Sequence, residues 1–162
     1  MDLFDNAVPG TPQYPETSEQ AENCWRQLFA REQSLSPHST PTIASIVGVS
    51  ARTYQRLIYG KAPLSTTQVG RVAAALGIDI PRACLAIATF GDWQRYYDPA
   101  VTNAIKLLPH VVDLISEGDA TPVEPLHEKA IQQLAKWIAD MIIKHHADVM
   151  QRREHLALRE IA

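Results

Sequence analysis

The triplet Gly48-Val49-Ser50 constrains this chain most, because it sets a glycine, a small apolar residue and a capping hydroxyl between two short apolar segments. A helix that ends on a left-handed residue favours glycine there, and serine accepts a hydrogen bond from the first free N–H groups of the next helix. The spacing therefore predicts a helix ending near Val47, a turn plugged by Val49, and a second helix over 51–59 that Gly60 closes. Upstream, Thr40 is the expected cap, with Pro41 at the first helical position, where a missing N–H is no loss. Ile43, Ala44 and Val47 then share an inward face. Downstream, Ser65 and Gln68 have capping-box spacing, Val69, Val72, Ala73 and Leu76 lie on one side of the helix they start, Gly77 closes it, and Pro81 opens a fifth.

Around this centre the pattern stays helical, and no segment reads as a strand. Residues 1–16, with Pro9, Gly10, Pro12 and Pro15, are expected to form a flexible leader. A first helix runs from Thr17 or Ser18 to Ser34, with Cys24, Trp25, Leu28 and Phe29 on its buried face. Phe90, Trp93, Tyr96 and Tyr97 read as an aromatic corner that packs the first part of the chain against the next, with a base-stacking or partner-docking surface as the alternative. Residues 100–117 carry Ile105, Leu108, Val112 and Ile115 at helical spacing, with Pro109 kinking or dividing the helix. Residues 119–125 are a loop or hinge, and one long helix begins at Leu126 with Ile131, Leu134, Ile138, Met141 or Ile142, and Val149 along one side.

Charge is informative only when divided along the chain. The net charge is −3 over 162 residues, yet residues 39–85 hold Arg52, Arg56, Lys61, Arg71 and Arg82 against the single acid Asp79. A basic module between acidic flanks suits contact with phosphates. No apolar run approaches the roughly 20 residues of a membrane span, and the start of the chain lacks the basic and apolar regions of a secretory signal, so a cytoplasmic location is expected. The two cysteines, Cys24 and Cys84, each fall in a helical apolar pattern and read as buried, reduced thiols.

Ile43-Ala44, Gly48-Val49-Ser50, Tyr54, Leu57, Gly60-Lys61 and the run from Val72 to Ile78 together resemble the Cro/CI-type (XRE) helix-turn-helix family. The resemblance covers about 45 residues, or 60 to 65 with the Trp25 helix. Two positions depart from it, since the family usually has Ile or Val where Tyr54 stands and often Glu where Tyr59 stands. The resemblance implies an all-α chain: a lambda-repressor-like helix-turn-helix domain over 17–88, then a helical extension over 89–162 ending in a long helix. It also implies that Ser50, Ala51, Arg52, Thr53, Gln55 and Arg56 face the major groove of double-stranded DNA, while Thr40, Lys61 and Ser65 meet phosphates. Arginine grips guanine O6 and N7 with two bonds, glutamine pairs likewise with adenine, and Ala51 or the Thr53 methyl suits thymine. In an isolated helix Arg52 and Arg56 would read as a solvated face; after Gly48-Val49-Ser50 the base-reading role outweighs it.

The long helix needs a neighbour, and a homodimer is the expected solution, because two half-sites one helical turn apart match a two-fold dimer. An antitoxin-like or RNA-polymerase-associated module, whose last helices hold a protein partner such as a cognate regulator, is the alternative reading. A fainter likeness links the chain to regulators of phage remnants and gene-transfer agents. Enzymatic chemistry is not expected. His145 and His146, with Asp148, Glu128 and His127, are the best metal or catalytic candidates, but adjacent helical residues diverge by about 100° and no HExxH pattern completes a site. No cofactor motif is present.

Overall fold

Four side chains define where the short helices begin. In the computed structural model, which describes residues 18–117 and 124–160, Ser39, Ser50, Ser65 and Asp79 all have extended backbone and accept an N–H from the third residue onward. They start α2 (Thr40–Val47), α3 (Ala51–Ile58), α4 (Thr66–Leu76) and α5 (Ile80–Cys84). Before them lies α1 (Ser18–Leu35); after them come a π-helical turn (Leu85–Thr89), a 3₁₀ turn (Trp93–Tyr97), α6 (Pro99–Glu117) and α7 (Glu128–Glu160). Among the described residues every element is helical, and no helix is long and apolar enough to cross a membrane. The expected leader over 1–16 and most of the expected hinge lie outside the described residues.

The cap of α2 corrects one expectation. Ser39, not Thr40, occupies the cap, and Pro41 follows at the second helical position. Both registers offer a hydroxyl ahead of a proline that a first turn tolerates, so sequence alone does not separate them. The Thr40 hydroxyl instead accepts a hydrogen bond from Gln33 Nε2 at 3.0 Å, tying α2 to the end of α1. At the far end of α2, Gly48 adopts φ +81° and the Val49 N–H reaches back to Ala44 O at 3.0 Å. The capping box of α4 is complete in both directions, with Gln68 N donating to Ser65 Oγ at 3.3 Å and Ser65 N to Gln68 Oε1 at 2.8 Å.

The chain divides into two compact units, 1–117 and 118–162. In the first, Leu28 and Phe29 of α1, Ile43 and Val47 of α2, Tyr54 and Leu57 of α3, and Val72 of α4 form the buried centre. Burying one such side chain stabilises by about 2 kcal/mol. The aromatic segment belongs to this unit: Tyr96 is buried, its hydroxyl accepts Asp79 N–H at 3.1 Å, and Tyr97 Oη donates to Glu32 Oε1 at 2.5 Å. The unit therefore extends well beyond the expected boundary at residue 88, because these contacts and buried Val101 carry it into α6. Beyond Val101, α6 continues as one helix through Pro109, which removes the division the proline suggests. Leu108, Val112 and Ile115 on it are exposed. Cys24 is buried, and its thiol donates to Gly91 O at 3.3 Å, whereas Cys84 is exposed, against expectation. Its short helix turns that position outward where helical periodicity alone points inward.

In the second unit α7 spans 33 residues, roughly 50 Å at 1.5 Å per residue, and none of its described residues is buried. Ile131, Leu134, Met141 and Ile142 of the expected stripe are exposed, as is Trp137 at 61%.

Candidate nucleic-acid interface

α3 has eight residues and two chemically distinct faces. Tyr54, Leu57 and Ile58 are buried against the core, while Arg52, Thr53, Gln55 and Arg56 are exposed. Inward residues at positions four, seven and eight of an eight-residue helix leave a single outward strip, as helical periodicity requires. The helix cannot roll to show another face without drawing Tyr54 into water.

The six residues expected to read bases divide into three groups. Ser50 and Thr53 are engaged locally, since Ser50 Oγ accepts Thr53 N at 3.1 Å and the two hydroxyls lie 2.9 Å apart. Ala51 is partly buried against the core. Arg52, Gln55 and Arg56 remain as long side chains on the outward strip. Among the described residues the Arg52 and Gln55 side chains have no hydrogen-bond or ion-pair partner. Arg56 has one, donating from Nη2 to Lys61 O at 3.4 Å, while Lys61 N–H donates to Arg56 O at 2.8 Å. Arg56 and Lys61 thus bracket the end of α3 as a tethered pair, and the long side-chain bond leaves most guanidinium donors available.

Of the three expected phosphate contacts, Lys61 is exposed and its ammonium has no partner among the described residues. Ser65 is exposed but its hydroxyl and backbone N–H serve the capping box. Thr40 is half-buried with its hydroxyl turned to Gln33. The electrostatics of the face follow from what the sequence omits: residues 39–78 contain no Asp or Glu, so nothing within α2 to α4 neutralises Arg52, Arg56, Lys61 and Arg71. Arg82 does not join them. Its guanidinium lies 4.0 Å from the centroid of the Tyr96 ring and donates to Thr102 Oγ1 at 3.3 Å, so the fifth cation of the basic segment is committed to the Tyr96 segment and α6.

Two features escape a reading of the sequence. Arg26, on α1, donates from Nε to Leu57 O at 3.1 Å and from Nη2 to Ala62 O at 3.0 Å and Glu22 Oε2 at 2.6 Å, with its side chain only 12% exposed. The available signal is the i, i+4 pair Glu22 and Arg26 beside Trp25, which marks a cation near a buried face but not what it holds. Tyr59 caps the end of α3 and is 70% exposed. Beneath it the Tyr54 hydroxyl is buried without a hydrogen-bond partner among the described residues. Burial, with Tyr59 as a smaller electrostatic contribution, pushes the Tyr54 phenol up to about 12. Among the described residues no group of three or more His, Cys, Asp or Glu side chains could hold a metal ion.

Fold and face together define an all-helical unit that presents one short, doubly capped helix in a surface segment free of carboxylates. Compared with models of known families, with curated proteins and with solved structures, the chain matches none.

Proposed function

We propose that this chain is a sequence-specific, double-stranded DNA-binding transcriptional regulator of the Cro/CI helix-turn-helix type, acting in the cytoplasm without cofactor or catalysis. The observation that carries the reading is α3: Tyr54, Leu57 and Ile58 fix its inner face, leaving Arg52, Gln55 and Arg56 outward in a segment with no acidic residue. A helix with side chains is about 10–12 Å across and the major groove about 12 Å wide, so such a strip can meet base edges. Arg52 and Arg56 suit guanine and Gln55 suits adenine; Lys61, and the N–H groups of Thr66 and Thr67 at the start of α4, suit phosphates. Ser50, Thr53 and Ala51 contribute at most short contacts, given their local bonds and partial burial.

The regulator acts as a homodimer held by α7, because the exposed Ile131, Leu134, Met141 and Ile142 require a partner and operators are commonly two-fold. The second reading, a protein-holding module such as an antitoxin or a polymerase-associated factor, is favoured by the exposed Trp137 on α7.

Selection of a preferred duplex from a random pool, followed by anisotropy titrations, tests the main reading. Arg52→Ala or Arg56→Ala should weaken the preferred site by about 1–3 kcal/mol and relax the choice at one base pair. Lys61→Ala should weaken all sequences alike and reduce the salt slope by about one unit per half-site. Undiminished specific binding by the double arginine variant would overturn the reading.

A further inference from the structure

We propose that Arg26, which the sequence resemblance gives no role, is the positioning residue of the reading face: it holds the end of α3 and the loop carrying Lys61 in register with α1. The inference rests on the DNA-binding reading above.

The Ser50 cap and the Gly48 turn fix the start of α3. Its far end is closed only by backbone bonds around a left-handed Gly60, with Lys61 N–H donating to Arg56 O at 2.8 Å and Gly60 N–H to Leu57 O at a long 3.5 Å. The C-cap residue Tyr59 is exposed and followed at once by Gly60 at φ +73°. Within that turn the Leu57 carbonyl is held only by the long Gly60 contact and an off-line Tyr59 N–H, and it has room for a better partner. Arg26 supplies one from another helix. Its Nε meets Leu57 O in the last turn, and its Nη2 meets Ala62 O, one residue past Lys61. Lys61 therefore sits between two carbonyls gripped by one guanidinium, and Arg56 is bound to Lys61 in turn. A cation at a helix C-terminus is favourable, and only a planar fork serves two divergent carbonyls and a carboxylate together. Glu22 keeps the fork aligned from one turn earlier on α1. With its side chain 12% exposed, Arg26 acts through Arg56 and Lys61 rather than as a contact of its own.

The test uses the full chain with Arg26→Met and Arg26→Lys, read by amide hydrogen exchange and by titration of preferred and scrambled duplexes. Arg26→Met should raise exchange at Tyr59 and Lys61 at least tenfold while leaving Val72 and Ala73 of α4 unchanged. It should also lower the ratio of preferred to scrambled affinity at least fivefold, with scrambled affinity unchanged within twofold. Arg26→Lys, which keeps the charge but not the fork, should fall between the two on both measures, and it carries the test if the methionine variant does not fold. Unchanged exchange at Lys61 would show that there is no clamp and overturn the proposal. Raised exchange with an unchanged affinity ratio would show a clamp that does not position the face, which overturns it equally. If the unaltered protein prefers no duplex, the DNA-binding reading fails and the proposal with it, while the exchange arm still reports separately whether Arg26 holds the loop.

Discussion

The backbone N–H of Asp79 donates to the hydroxyl of Tyr96, 17 residues further along, at 3.1 Å. Asp79 also caps α5 by accepting Arg82 N–H, and the Arg82 guanidinium lies over the ring of that same tyrosine. Three residues thus lock the aromatic segment onto the start of α5. Tyr96→Phe keeps the ring and removes the acceptor, so it should destabilise the first unit by about 1 kcal/mol, the usual net worth of one such bond. Urea unfolding followed by Trp fluorescence measures it; a change below a few tenths would mean that water replaces the hydroxyl without loss.

Tyr54 makes the opposite case. A buried hydroxyl without a partner is unfavourable, so Tyr54→Phe should raise stability by about 1 kcal/mol. The pH dependence has a definite sign. Burial pushes the folded phenol up to about 12 from an ordinary 10, so the unfolded chain loses its proton first, and stability falls as pH rises through that interval. The full difference is on the order of 2–3 kcal/mol. Unfolding curves at pH 8, 10, 11 and 12 should show the native protein losing more stability than Tyr54→Phe over that window. Equal losses would place the alkaline sensitivity elsewhere, Tyr97 being the other phenol that burial and Glu32 push upward.

Gly48 offers a clean measurement of backbone strain. A Cβ there would meet nothing within 4 Å, but φ is +81°. Gly48→Ala should therefore lose about 1–2 kcal/mol through conformation alone, and Gly48→Asn less, since asparagine tolerates the left-handed region. A similar loss for both variants would argue against the left-handed turn between α2 and α3.

The exposed stripe of α7 predicts self-association. Sedimentation at micromolar concentrations should show a dimer, and Leu134→Glu should reduce association at least tenfold while leaving near-ultraviolet dichroism from the first unit unchanged. A monomer in both cases would remove the dimer from the proposed mechanism.

The legible parts of this fold are those decided within four or five residues. Gly48, Ser50, the Ser65 and Gln68 box and Gly77 act through their own neighbours, so their sequence order predicts the turns found. The shift from Thr40 to Ser39 is an ambiguity between adjacent hydroxyls, resolved only by Gln33 taking one of them. Arg82 misleads because a charge count treats every cation as solvated, whereas Tyr96, 14 residues later, stacks beneath it. Arg26 is missed for the same reason: its carbonyl partners are 31 and 36 residues away and carry no side-chain signature. The outward strip of α3 is legible because Tyr54, Leu57 and Ile58 have helical spacing; the hydrogen bonding of Ser50 to Thr53 that subdivides it depends on rotamers.

Every buried side chain among the described residues falls between Cys24 and Val101. On the ribosome this has a temporal meaning. All partners of the core have been made before the first residue of α7 is added, and at about 5–20 residues per second that interval lasts seconds. Every core partner of the first unit leaves the ribosome before α7 does, so the core can begin to close around Leu28 and Tyr54 before the apolar stripe of α7 emerges.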